Sequence, residues 1–328
     1  MDEQYLLDLI ICRLNGMKPN EKIDLMKKLD READFLLLTK NDIGSIIGRT
    51  LGGKPWDIGL IRAMAERDLK TAGNLGINLV SWRESAYPPL LREIYDPPPL
   101  LFYRGMLPDP ETPIAAVVGT RKPSPAAGAK AFVLGKELGE AGIPVVSGLA
   151  LGIDAMAHRG NIEGRAATIA VLGSGPDMIY PHSNRFLARR ILETGGLILS
   201  EYPPGTRPYK AHFPARNRII SGLARGTIIV EAPEKSGALI TARFALDQDR
   251  DLWVEKAAVA SGRSAGTTRL AEEGAKLISS AADVLAEWNI AAGKAGKAGK
   301  AGERGGQGAG PENEGSALAS SMAEYLNI

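Results

Sequence analysis

The spacing of apolar residues changes character twice along the chain. Between Tyr5 and about Asn74 they recur at helical intervals. Leu6, Leu7, Leu9, Ile10 and Leu14 make one run, Pro19 stops it, and Ile23, Leu25, Met26 and Leu29 begin another. Thr39-Lys40-Asn41-Asp42-Ile43 offers an N-cap ahead of Ile46, Ile47 and Leu51, Gly52-Gly53-Lys54-Pro55 breaks that helix, and a further helix is predicted over 57–72. Residues 1–75 therefore read as a small helical domain, SAM-like or helix-hairpin-helix, whose use is either packing and oligomerisation or DNA contact. Residues 76–112 are different. Tyr87-Pro88-Pro89 and Pro97-Pro98-Pro99 forbid helix, so an extended connector with a short strand at its end is expected.

From Ile114 the pattern becomes short, β-branched apolar runs: Ile114–Val118, Ile143–Val146, Thr168–Leu172, Leu197–Leu199, Thr227–Val230 and Leu252–Val254. Amphipathic stretches such as Ala126–Ala141 and Ser183–Thr194 lie between them. Continuous apolar strands alternating with helices predict βαβ units, hence an α/β domain over 113–288 with a Rossmann-like parallel sheet covered by helices on both faces. The sheet is expected to end near Lys276–Ile278, followed by a helix over Ala281–Trp288. Beyond Trp288 the sequence turns to Ala-Gly-Lys repeats and Gly-rich segments. Residues 289–315 read as a flexible linker and 316–328 as one short amphipathic segment.

Composition narrows the function. The 328 residues carry 40 Lys+Arg against 38 Asp+Glu, a formal net charge of +2, which excludes a globally basic nucleic-acid coat but not a local basic groove. A single cysteine, Cys12, allows no internal disulfide or thiolate cluster, and three histidines (His158, His182, His212) make a structural zinc site improbable. No apolar run approaches the roughly 20 residues of a membrane helix, and Met1-Asp2-Glu3 begins no secretory leader. A cytoplasmic protein without membrane partner, metal or cofactor is expected.

In a doubly wound sheet, ligands sit at the carboxyl ends of the strands. The predicted ends are polar and glycine-rich. The first strand runs into Gly119-Thr120-Arg121-Lys122-Pro123-Ser124. The second runs into Ser147-Gly148-Leu149-Ala150-Leu151-Gly152-Ile153-Asp154, which opens the helix holding His158. Such turns present free amides and a positive dipole end, suited to phosphate, although a purely structural turn needs the same glycines. Neither is a G-x-G-x-x-G fingerprint or a P-loop. Residues 205–225 contain Arg207, Lys210, Arg216, Arg218 and Arg225, no acid, and the interleaved rings Tyr209, His212 and Phe213. Cations beside unpaired aromatics are what single-stranded nucleic acid requires, because phosphates need charge and splayed bases need a stacking face; a solvated loop is the plain alternative. Asn217 and the Ser236-Gly237 turn open further helices towards the same edge. Catalytic sets are thin: Glu231 and Asp154 could pair as carboxylates, and His158 could act as a base or simply satisfy a packing hydrogen bond.

Taken in order, these segments resemble the DNA-processing protein A (DprA/Smf) family. The resemblance rests on Val118-Gly119-Thr120-Arg121, Ser147–Asp154 with Ala157-His158, Ala170–Gly175, Ile179-Tyr180-Pro181, Leu199–Pro203, Phe213–Leu223, and Val230-Glu231-Ala232 with Ser236–Ala242, over about residues 85–285. It implies an extended Rossmann-like domain that binds single-stranded DNA, helps load the RecA recombinase in natural transformation and recombination, works as a homodimer, and has no catalytic activity. Carried over, Arg121 and Lys210 become phosphate contacts, Phe213 the stacking ring, and the Ser147–Asp154 turn an amide nest; Arg216 and Arg218 join the phosphate set. Two departures stand out. Glu255-Lys256-Ala257 replaces a usual Pro-Gly turn, and Gly266-Thr267-Thr268-Arg269 lacks the usual Asn, so loop 255–268 is expected to differ. The winged helix many members carry is not expected in the last thirteen residues. The competing readings are a phosphoribohydrolase-type enzyme with Glu231 as catalytic carboxylate, whose Pro-Gly-Gly-x-Gly-Thr-x-x-Glu signature is absent, and a nucleotide-sensing adaptor.

Overall fold

Five helices open the computed structural model, which describes residues 2–53, 55–259 and 264–290. They are α1 (Asp2–Cys12), α2 (Pro19–Lys28), α3 (Glu32–Leu36), α4 (Lys40–Ile47) and α5 (Ile58–Asn74). Their starts follow from local chemistry. Pro19, which ends the preceding pattern, occupies the first turn of α2, where its missing N–H costs nothing. Thr39 caps α4 by accepting from the Asp42 amide while the Asp42 side chain accepts from the Thr39 N–H, and Asp57 caps α5 through the Leu60 amide.

The proline-rich stretch then supplies two strands rather than one. These are β1 (Asn78–Ser81) and β2 (Leu100–Gly105), with the single turn α6 (Pro89–Arg92) between them, a correction to the expectation of no helix here: Pro89 sits in the first turn, where proline is tolerated. β1 pairs antiparallel with β2, and β2 antiparallel with β6 (Leu197–Ser200), so this stretch widens the sheet. Leu7 and Ile10 of α1, Leu14 of the following loop, and Leu25 and Met26 of α2 share one core with Ile77, Leu100 and Phe102.

The rest alternates strand and helix: β3 (Ala115–Val118), α7 (Pro125–Glu140), β4 (Val145–Ser147), α8 (Ile153–Glu163), β5 (Ile169–Val171), α9 (Arg185–Glu193), β6, α10 (His212–Leu223), β7 (Gly226–Ile229), α11 (Gly237–Asp247), β8 (Asp251–Glu255), α12 (Lys256–Val259), α13 (Ala265–Glu272), β9 (Lys276–Ile278) and α14 (Ala281–Glu287). The sheet order is β1-β2-β6-β5-β4-β3-β7-β8-β9, with β3 to β9 parallel. Alternate side chains of one strand feed opposite layers. Val118, Val146 and Val171 pack against Ile219, Ile220 and Leu223 of α10, whereas Val117 and Val145 pack against Leu134 and Leu138 of α7 and, with Trp253, towards Trp288.

The extended Rossmann-like architecture anticipated above is thus present, and its topology locates the site. After β3 the chain builds β4, β5 and β6 outward on one side, then returns to lay β7 against the other side of β3. The loops leaving β3 and β7 diverge there, and a crevice at this switch point is where such sheets take their ligands. The divergent segment after β8 forms α12, with the Glu255 carboxylate accepting from the Ala258 amide at 2.8 Å. Residues 260–263 and the terminal segments beyond Ile290 lie outside the described residues. No helix among the described residues is long and apolar enough to cross a membrane.

Candidate nucleic-acid interface

The crevice at the β3/β7 switch point is a cleft of about 850 Å³. It gathers, from segments far apart in sequence, Gly119, Thr120, Arg121, Asp154, Lys210, Phe213, Arg216, Asn217, Ser236 and Gly237. Lys122, Lys235 and Tyr180 line it too, although sequence reasoning had not assigned them to the site.

The β3 loop comes close to the start of α8 because Gly119 has no side chain. A Cβ there would meet Ile153 Cγ1 at 2.6 Å and the Glu231 carbonyl at 2.9 Å. That carbonyl accepts from the Thr120 amide at 2.7 Å, tying the two diverging loops together at their roots. Gly152, before α8, has φ +78° and ψ −127°, a conformation reserved for glycine, and a Cβ there would sit 2.4 Å from the Thr120 carbonyl. Ile153 is fully buried beneath the turn.

The Ser147–Asp154 turn is organised from below. Ser147 is fully buried and its hydroxyl donates to the Val117 carbonyl at 2.7 Å. The buried Asp154 carboxylate accepts from the amides of Gly148 at 3.1 Å and Ala150 at 3.4 Å. Burial pushes the Asp154 carboxyl up, against the pull of the neighbouring Arg216 guanidinium and of those amides. Arg216 is buried as well. It donates to the Gly148 carbonyl at 2.9 Å and to the Val171 carbonyl, and burial pulls it down to about 10. Arg216 therefore lies in the floor of the cleft and holds the turn, with its charge directed under the loop backbone.

Arg218 points elsewhere. It is 5% exposed and makes a bidentate pair with Glu201 at 2.9 and 2.6 Å, with a further contact from Nε to Asp96 at 3.1 Å. Two residues beyond Arg216 on α10, about half a turn, it is turned off the cleft, so it does not share the surface of Arg121 and Lys210. Glu231 is 2% exposed. Its carboxylate accepts from the Ser124 hydroxyl at 2.6 Å and the Ser124 amide at 3.2 Å, while the Ser124 hydroxyl accepts from the Ala127 amide to cap α7. Both candidate catalytic carboxylates are thus engaged in holding loops. His158 is fully buried, with Nδ1 2.7 Å from the Thr168 hydroxyl, and burial pulls its imidazole down to about 3. That hydroxyl donates to the Val145 carbonyl, so Nδ1 carries the proton and donates.

What the cleft presents to solvent is cationic and aromatic. Arg121, Lys122, Lys210 and Lys235 are exposed at its rim. The Arg121 guanidinium lies 5.8 Å from the centre of the Phe213 ring, and Tyr180 tilts against the same ring at 5.6 Å. Among the described residues, Asp154, buried beneath, is the sole acid in the lining. The starts of α7, α8, α10 and α11 all meet this edge, with Ser124 and Ser236 capping two of them. Asn217 donates to the Gly237 carbonyl at 3.2 Å and joins the α10 and α11 walls.

Fold and crevice together define an extended Rossmann-like α/β protein with a polar, cationic cleft at its switch point. The family model for DNA recombination-mediator protein A matches residues 78–289, and the chain belongs to that family. It is 46% identical to the DNA processing protein DprA of Streptococcus pneumoniae over 205 residues, 62% of this chain and 72% of that protein. It is 34% identical to the Smf protein of Borreliella burgdorferi over 284 residues, 86% of this chain and 88% of that one. The solved structure of S. pneumoniae DprA superposes with a TM-score of 0.72 at 37% identity, covering 87% of this chain and 97% of that one. A Helicobacter pylori DNA processing protein A, whose structure was solved for its single-stranded DNA binding mode, matches with a TM-score of 0.57 at 30% identity, over 65% of this chain and 95% of that one.

Proposed function

We propose that this protein binds single-stranded DNA in the switch-point cleft and passes it to a RecA-type recombinase. The observation that carries the reading is the Arg121–Phe213–Tyr180 cluster: a guanidinium set over a ring that is itself flanked by a second ring, beside exposed Lys210. A phosphate placed at Arg121 and Lys210 leaves its base beside Phe213. A duplex hides its bases in the stack and could use only the cations. The field of Arg216 and the converging helix starts add favourable potential without direct contact. Arg218 is left out of the contact set because Glu201 and Asp96 already occupy its donors.

Family membership and the described relatives support recombination mediation. On this reading the protein acts in the cytoplasm as a homodimer, without cofactor or catalysis, in natural transformation or related recombination. The test is a titration of labelled single-stranded and double-stranded oligonucleotides of one sequence at two salt concentrations. Tighter binding to the single strand, weakened by salt, is expected; equal affinity for both forms would overturn the proposal.

A further inference from the structure

We infer that a second base-stacking platform lies beside the cleft, formed by Tyr209, His212 and Tyr202, so that the bound strand runs on past Phe213. The inference rests on the single-strand reading above and extends the footprint to residues outside the cleft lining.

Three rings stand in contact here. His212 stacks on Tyr202 with ring centres 4.0 Å apart and planes 19° apart, and Tyr209 meets His212 edge-on at 5.4 Å and 74°. Tyr209 is 63% exposed, so most of its surface is open to solvent. A lone exposed aromatic is ordinary. Here, however, the ring lies on a short loop with exposed cations on both sides, Arg207 and Lys210. Lys210, next to Tyr209 in the chain, also lines the cleft together with Phe213, so the loop that carries Tyr209 joins the cleft rim.

The loop is also held in place. Gly205 donates its amide to the Asp177 carboxylate at 2.9 Å, Gly175 donates to the Thr206 carbonyl at 2.9 Å, and the Thr206 hydroxyl donates to the Pro203 carbonyl at 2.7 Å. At the other end His212 donates its amide to the Tyr209 carbonyl at 3.0 Å, and its Nδ1 lies 3.2 Å from the Gly173 carbonyl. A loop fixed this way loses little backbone freedom when a base arrives, which favours a net gain in affinity from stacking. Of the acids near these rings, Asp177 has its carboxylate turned to the Gly205 amide, and Glu201, next to Tyr202, is paired with Arg218.

The experiment uses the full chain and a thymine-rich single strand of about twenty nucleotides carrying bromouracil, longer than the roughly 4–16 nucleotides of a compact single-strand site. Photocrosslinked adducts are expected at Tyr209, His212 or Tyr202 in addition to Phe213 or Tyr180. Tyr209→Ala should weaken binding about ten-fold, while Tyr209→Phe, which keeps the ring, stays within about two-fold of the parent. Because Tyr209 is exposed, neither change threatens the fold. Adducts confined to Phe213 and Tyr180, with Tyr209→Ala binding like the parent, would overturn the second platform and leave the cleft reading intact. Absence of any strand binding by the parent protein would overturn both.

Discussion

Arg218→Met separates a structural arginine from a DNA-contacting one. Arg218 ties three segments together: Nη1 and Nη2 grip the Glu201 carboxylate at the end of β6, Nη1 also reaches the Ala215 carbonyl within α10, and Nε bonds the Asp96 carbonyl at 3.0 Å. The Arg218 side chain is 6% exposed and that of Glu201 16%, so the pair is largely desolvated. Removing the cation strands a buried carboxylate, which typically costs about 3–5 kcal/mol. For a domain of this size each kcal/mol moves the melting temperature by roughly 2–4 °C, so a fall on the order of 10 °C is expected. The assay is thermal unfolding followed by far-ultraviolet circular dichroism, with strand affinity measured below the transition. Arg121→Ala, on an exposed side chain, should shift the transition by less than about 0.5 kcal/mol. Arg218→Met/Glu201→Leu should recover much of the loss, because no unpaired charge is left buried. An Arg218→Met protein that melts like the parent but no longer holds single strands would refute this reasoning.

Three further predictions follow from the same geometry. Gly152→Ala, which forces a Cβ to within 2.4 Å of the Thr120 carbonyl at φ +78°, should destabilise by at least about 2 kcal/mol, read as a lower urea midpoint. His158, pulled down to about 3 by burial, stays neutral in the fold while the unfolded chain takes up a proton near its ordinary value of 6.5. Its contribution to stability is full above pH 6.5 and is lost as pH falls towards 3, by up to about 1.4 kcal/mol per unit. Asp154, raised by burial, acts with the opposite sign but is common to parent and variant, so the unfolding free energy of His158→Gln should fall less steeply between pH 6.5 and 5. Glu231→Gln should cost about 1–2 kcal/mol by weakening the Ser124 cap, with no release of free base from nucleoside monophosphates by either protein. Base release by the parent that disappears in the variant would favour the hydrolase reading.

Elements with strong local signals were legible in the sequence. The β-branched runs from Ile114 onward became β3 to β8, and the Thr39 and Ser124 caps fell where side-chain oxygens precede helical patterns. The short strand expected at the end of the proline-rich connector is β2, whereas β1 was missed, because a four-residue edge strand owes its place to pairing with β2 rather than to a strong apolar run of its own. At the site, Gly119 and Arg121 could be placed because they directly follow a strand. Arg216 and Arg218 could not be told apart by composition. Both sit on one helix in a basic run, and only packing assigns one to the cleft floor and the other to Glu201. Tyr180 was missed as a site residue although Ile179-Tyr180-Pro181 had been singled out; an aromatic in the loop after β5, at the carboxyl edge of the sheet, was the available signal.

The central claim is that Arg121 and Lys210 hold the phosphates of a single strand. Its most direct test is the salt dependence of single-strand binding by the Arg121→Ala/Lys210→Ala protein. Each phosphate contact contributes about 0.7 to the slope of log K against log salt for a single strand. The double variant should keep the parent's circular dichroism spectrum, bind much more weakly, and show a slope shallower by about 1.4. The same affinity and the same slope as the parent would contradict the account.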